Sequence, residues 1–82
     1  MADTAQTIKE LIVERLFLDM EPSDIETGTP LSEYGVDSFL LLEVIVALEE
    51  TFSIKIEQSD ITPDTLKSVQ SLTELVERKQ PS

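Results

Sequence analysis

Apolar residues recur at helical spacing in three stretches of the chain and lose that spacing between them. Ile8, Leu11, Ile12 and Leu16, extended by Phe17, make one stripe, which predicts a helix over about Thr7 to Leu18. Thr7 followed by Glu10 has the form of a capping box, with Thr4 as an earlier possible start. From Asp19 to Asp37 the periodicity fails, and Pro22, Gly28, Pro30 and Gly35 punctuate the segment. A connection this long inside a small domain is normally functional or partly structured. Ile25, Leu31 and Tyr34 are the residues able to pin it to a core. A second helix is expected from about Ser38 to Thr51 or Phe52, followed by a connector in which Ile54 and Ile56 alternate as buried anchors. Between Glu57 and Leu66 there is room for one or two short helical turns, starting at Ser59 or at Thr62-Pro63. The last helix is expected from about Ser68 to Arg78, with Val69, Leu72, Leu75 and Val76 on one face. Ser71 precedes Glu74 near its start, and Arg78 and Lys79 lie at its end, where the helix dipole favours cations. The pattern therefore predicts an all-α four-helix bundle of three main helices and a short third one, with a long loop between the first two.

The second helix carries the most information, because Glu43 is the only charged residue between Ser38 and Leu48. At about 100° per residue, with Phe39 set at zero, Leu41, Val44, Ile45, Leu48 and Phe52 gather within about 60° of the opposite side. They make a complete core stripe. Leu42, Glu43, Val46, Glu49 and Glu50 fall on the side of Phe39, with Leu40 and Ala47 on the flank. An outward face that mixes apolar side chains with carboxylates suits a greasy partner groove rimmed by Lys or Arg. Scattered exposed apolar residues and solvated glutamates would give the same pattern without a partner.

Length and charge narrow the function. The chain has 82 residues, enough for one domain, expected over 1–82 with its core at about 7–79. Its 40% hydrophobic content supports a small core despite a net charge of −11, from 6 Lys+Arg against 17 Asp+Glu. That charge opposes nucleic acid and anionic membrane surfaces and favours partners with basic docking surfaces. No Cys and no His are present, which removes disulfides, thiolate nucleophiles, the commonest general base and the commonest metal ligand. No metal site and no catalytic residue are expected, and the chain does not read as an enzyme. An EF-hand calcium loop fails on spacing. No apolar run approaches the roughly 20 residues that span a bilayer, and the N-terminus has no secretory pattern. A cytoplasmic, monomeric protein is the expectation.

Gly35-Val36-Asp37-Ser38 stands at the start of the second helix. Asp or Ser before an apolar run is what an N-cap requires, and Gly35 is what a tight turn requires. The same position also suits a serine that accepts a phosphorylated group, since free N–H groups and the helix dipole favour a phosphodiester there. With no His in the chain, another enzyme would have to make that modification.

These residues resemble the acyl carrier protein family. The resemblance lies in Leu31-x-x-Tyr34-Gly35, Asp37-Ser38, the run Leu42-Glu43-Val44-Ile45-Val46-Ala47-Leu48-Glu49-Glu50-Thr51-Phe52, and Leu66-x-x-Val69-x-x-Leu72. It covers about residues 7 to 79. It implies a four-helix bundle with 4′-phosphopantetheine on Ser38, installed from coenzyme A by a phosphopantetheinyl transferase. It also implies acyl groups held as thioesters on that arm and presented to loading, transferring and condensing enzymes. Asp37, Phe39, Leu42, Glu43, Val46, Glu49 and Glu50 then correspond to the partner-docking face. Leu41, Val44, Ile45 and Leu48 become candidates to line the space that receives an acyl chain. Phe39 stands where Leu is more usual, and Leu40 and Leu41 where many fatty-acid carriers are polar. These departures leave a carrier for a polyketide, lipid or other secondary pathway as open as a fatty-acid one. Gly35-Val36 leans away from the peptidyl branch, which often has Gly-Gly, and Met1 with short polar ends suggests a free-standing carrier. The competing reading is an acidic helical adaptor without a prosthetic group, in which the Gly35–Ser38 element has no special use.

Overall fold

In a computed structural model the structure describes residues 4–80, and in it the three periodic stretches are the three α-helices. They are α1 (Thr4–Leu16), α2 (Ser38–Phe52) and α3 (Val69–Lys79). Short 3-10 turns at Pro22–Asp24 and Leu31–Tyr34 order the long connection, and a third at Gln58–Asp60 follows α2. The short third helix of the expected bundle takes the form of this last turn and of a single turn at 62–66. In the latter, Leu66 N–H reaches the Thr62 carbonyl at 3.0 Å and Thr62 Oγ1 accepts from Thr65 N–H at 3.1 Å. Among the described residues no helix is long and apolar enough to cross a membrane.

The core is one cluster running from Ile8 to Val76. α1 contributes Ile8 and Ile12 and packs against both other helices. α2 contributes Leu41, Val44, Ile45 and Leu48, and α3 contributes Val69, Leu72, Leu75 and Val76. Ala47, expected on the flank of α2, is fully buried, since its small side chain allows close approach. Ile54 and Ile56 are buried as their alternation predicts.

The long connection is held at its three expected anchors, Ile25 and Leu31 buried in the core and Tyr34 half-buried against it, and by polar contacts along its length. Tyr34 Oη accepts from Glu26 N–H at 2.8 Å. Leu31 N–H donates to the Lys67 carbonyl and Gln70 N–H to the Thr27 carbonyl, each at 2.8 Å. The second bond occupies an N–H of the first turn of α3, a group that has no acceptor within its own helix. The cap of α3 is Ser68 paired reciprocally with Ser71, rather than Ser71 with Glu74: Ser71 N–H reaches Ser68 Oγ at 3.3 Å and Ser68 N–H reaches Ser71 Oγ at 3.0 Å. Thr7 does not cap α1, because the helix already runs from Thr4.

Phe17 departs from expectation. It is 91% exposed and lies outside the core stripe. α1 stops at Leu16 because Phe17 adopts a left-handed conformation, φ 53°, while Leu18 N–H turns back to the Val13 carbonyl at 3.1 Å. This is the position at which helices favour glycine, and a bulky residue there costs on the order of 1–2 kcal/mol. α2 ends in the same way at Ser53, φ 55°, with Ile54 N–H reaching the Glu49 carbonyl at 3.2 Å.

The turn after α2 is tied to the end of α3 by Lys79 Nζ, 2.6 Å from Asp60 Oδ2. The Lys79 ammonium, with the Glu57 N–H second, holds the Asp60 carboxyl below the usual carboxylate range. A depressed folded-state pKa stabilises above the unfolded value of about 3.9, and that contribution is lost as pH falls through the folded pKa. Asp60→Asn is therefore expected to lower Tm between pH 5 and 7. The difference from the parent should shrink below about pH 4. Thermal melts followed by circular dichroism across that range check it.

Candidate functional site at the start of α2

Gly35 closes the 3-10 turn before α2 in a left-handed conformation, φ 79°, with its N–H on the Ser32 carbonyl at 3.1 Å. A β-carbon there would meet no neighbour within 4 Å, so backbone conformation and not space is what favours glycine. The chain then runs through buried Val36 to Asp37, which caps the helix. Asp37 Oδ1 accepts from Leu40 N–H at 2.9 Å, and the Asp37 carbonyl accepts from Leu41 N–H at 3.1 Å. Ser38 is the first residue of α2. Of the expected pair, then, Asp37 is the cap, and Ser38 follows it at the positive end of the helix. Phe39 N–H has no intrahelical acceptor, whereas the matching N–H of α3 is taken by Thr27.

A mostly apolar cleft of about 480 Å³ opens beside this turn. Val36, Leu41, Ile61, Pro63 and Leu66 form its walls, and Asp37 and Lys67 lie on its rim. Of the four inner residues expected to line such a space, Leu41 does so. Val44, Ile45 and Leu48 belong to the closed core and are not cleft residues. The part that Ile61, Pro63, Leu66 and Lys67 take in the cleft escaped the sequence reading, because their segment shows no periodicity to orient it. An arm on the first turn of α2 fits this setting: the helix end offers N–H groups and positive potential, and the cleft offers apolar cover. Among the described residues no group of three or more Asp or Glu is placed to hold a metal ion.

The outward face of α2 has the predicted composition. Phe39 is 82% exposed, Leu42 48% and Val46 50%, with Glu43 and Glu50 exposed among them. Glu49 differs: it is half-buried, and its Oε2 accepts from Ile56 N–H at 2.9 Å. Its carboxylate therefore fastens the connector to the end of α2. Glu50 lies 3.4 Å from Arg15 of α1, an exposed pair of small energetic weight.

Comparison with known proteins accords with this geometry. A family model described as the phosphopantetheine attachment site matches residues 6–76. The chain is 36% identical over 62 residues to the acyl carrier protein of Zymomonas mobilis, covering 74% of this chain and 77% of that protein. Its fold is similar to that of a holo acyl carrier protein from Nitrosomonas europaea, with a TM-score of 0.80 at 23% identity over 94% and 95% of the two chains. It is also similar to a chain in the crystal structure of Bradyrhizobium japonicum glycine:carrier protein ligase complexed with glycylated carrier protein, with a TM-score of 0.70 at 26% identity over 89% and 99%. The chain belongs to the phosphopantetheine-binding acyl carrier family.

The two glutamates at the end of α2 should separate in experiment. Glu49→Gln is expected to cost about 1–2 kcal/mol in urea unfolding, because it weakens a charge-assisted, partly buried hydrogen bond. Glu50→Gln should stay within about 0.5 kcal/mol of the parent.

Proposed function

We propose that this protein is a non-catalytic carrier that holds acyl intermediates as thioesters on a 4′-phosphopantetheine arm attached to Ser38. It presents them to enzymes of fatty-acid, polyketide or related biosynthesis. The observation that carries the reading is the position of Ser38, within the phosphopantetheine-attachment match, on the Asp37-capped first turn of α2 beside the apolar cleft. When attached, the arm supplies the thiol that a chain without cysteine lacks.

The residues of the chain divide the remaining work. Asp37 fixes the first turn and so the direction in which Ser38 is offered. Val36, Leu41, Ile61, Pro63 and Leu66 give an apolar chain a place out of water, which suits aliphatic cargo. Phe39, Leu42, Glu43, Val46 and Glu50 form the face that meets basic partner surfaces, including the transferase that installs the arm. Asp37 lies at its edge, and Glu49 supports it through the connector rather than by contact. Tethering raises the local concentration of the intermediate at each successive active site. A monomer acting in the cytoplasm accords with the high negative charge.

A second reading, an aminoacyl carrier, is favoured by the likeness to the chain crystallised with glycylated carrier protein and its ligase. It keeps Ser38 and the arm and changes only the cargo.

Intact-mass measurement after incubation with coenzyme A and a broad-specificity phosphopantetheinyl transferase tests the attachment. The wild type is expected to gain one phosphopantetheine and Ser38→Ala none. An unmodified wild type beside an active control carrier overturns the assignment.

A further inference from the structure

Phe17 combines two unfavourable features with no packing return: a left-handed backbone, φ 53°, and a ring that is 91% exposed. Its surroundings are equally unusual. Phe17 joins Phe39, Leu40, Leu42 and Val46 in lining a shallow groove of about 430 Å³ between the end of α1 and the outward face of α2, with Glu43 on its rim. Arg15, the one cation among the described residues that line the groove, lies 3.4 Å from Glu50. The unpaired charge at this surface is therefore negative. A residue retained in a strained and exposed state next to four other exposed apolar side chains marks a contact surface.

We propose that this groove seats the phosphopantetheinyl transferase, which inserts an apolar side chain into the space that Phe17 and Phe39 both line. The proposal rests on Ser38 being the attachment residue. The groove begins at Phe39 and Leu40, the two residues after Ser38, so an enzyme reaching Ser38 comes to lie beside it. That enzyme must also hold coenzyme A, whose phosphate groups require a basic site, and a basic surface complements Glu43 and a chain of net charge −11. A second copy of this chain brings the same −11 and an anionic bilayer the same sign, so both are opposed. The docking surface thus extends from α2 onto α1, and Phe17 is a recognition residue rather than a core residue.

The test measures the transferase reaction with the apo protein as varied substrate at saturating coenzyme A, using a broad-specificity transferase. Glycine is at ease at φ 53°, so Phe17→Gly keeps the fold, and a Tm equal to or above that of the parent verifies it. Phe17→Gly is expected to raise KM about tenfold with kcat within about twofold, and Phe17→Leu, which keeps apolar bulk, to fall between variant and parent. Leu42→Gln on the opposite wall should raise KM in the same direction. Equal KM for parent and Phe17→Gly, with both modified, overturns this proposal alone. A parent that is not modified beside an active control overturns the assignment of Ser38 and this proposal with it. A parent that sediments as a dimer, dissociated by Phe17→Gly at unchanged KM, gives the groove to a second copy and likewise overturns it.

Discussion

The burial of one stripe of α2 orients everything else in this molecule. Leu41, Val44, Ile45 and Leu48 go into the common core, where α2 packs on α1. Each fully buried aliphatic side chain contributes about 1.5–3 kcal/mol relative to exposure, a large share of the stability of a chain of 82 residues. A helix has only one rotation about its axis that buries that stripe. The same rotation turns Phe39, Leu42, Glu43 and Val46 to solvent, with Ser38 on the first turn next to Asp37, which lines the cleft. Stability and presentation are thus set by one packing event.

The long connection makes that packing possible. A stretch of about twenty residues without regular helix would be a weakness in so small a protein. Here Ile25 and Leu31 anchor it in the core, Tyr34 holds Glu26, and its backbone meets the start of α3 through Thr27 and Leu31. The contacts with α3 are reciprocal in effect. The loop gains fixed partners, and the first turn of α3 gains an acceptor for an N–H that would otherwise need water. Gly35 then turns the chain sharply enough for Asp37 to cap α2.

Polar groups divide by position rather than by type. Asp37 and Glu49 accept backbone N–H groups at the start and just beyond the end of α2, and Asp60 takes both the Glu57 N–H and the Lys79 ammonium. These carboxylates shape the backbone. Among the described residues Glu43 has no such bond, and Glu50 has only an exposed pair with Arg15. A high negative charge therefore serves two separate ends: caps and clasps within the fold, and an acidic, greasy face outside it.

Periodicity was sufficient to read the three helices, the core stripes of α2 and α3, the anchors Ile25, Leu31, Ile54 and Ile56, and the Asp37-Ser38 start of α2. All of these follow from side-chain spacing within one element or from local capping chemistry, which need no knowledge of neighbours. The cleft was not legible, since Val36 and Leu41 meet Ile61, Pro63 and Leu66 only when the segment after α2 folds back across the helix start. Nor was the role of Glu49, which depends on where the Ile54–Ile56 connector turns. Phe17 shows the boundary most clearly. Its apolar character placed it with the α1 stripe, but the reversal of the chain at that residue set its ring outside, beside a face of α2 more than twenty residues away in sequence. Local order is encoded by neighbours along the chain, whereas clefts and grooves arise where separate elements meet.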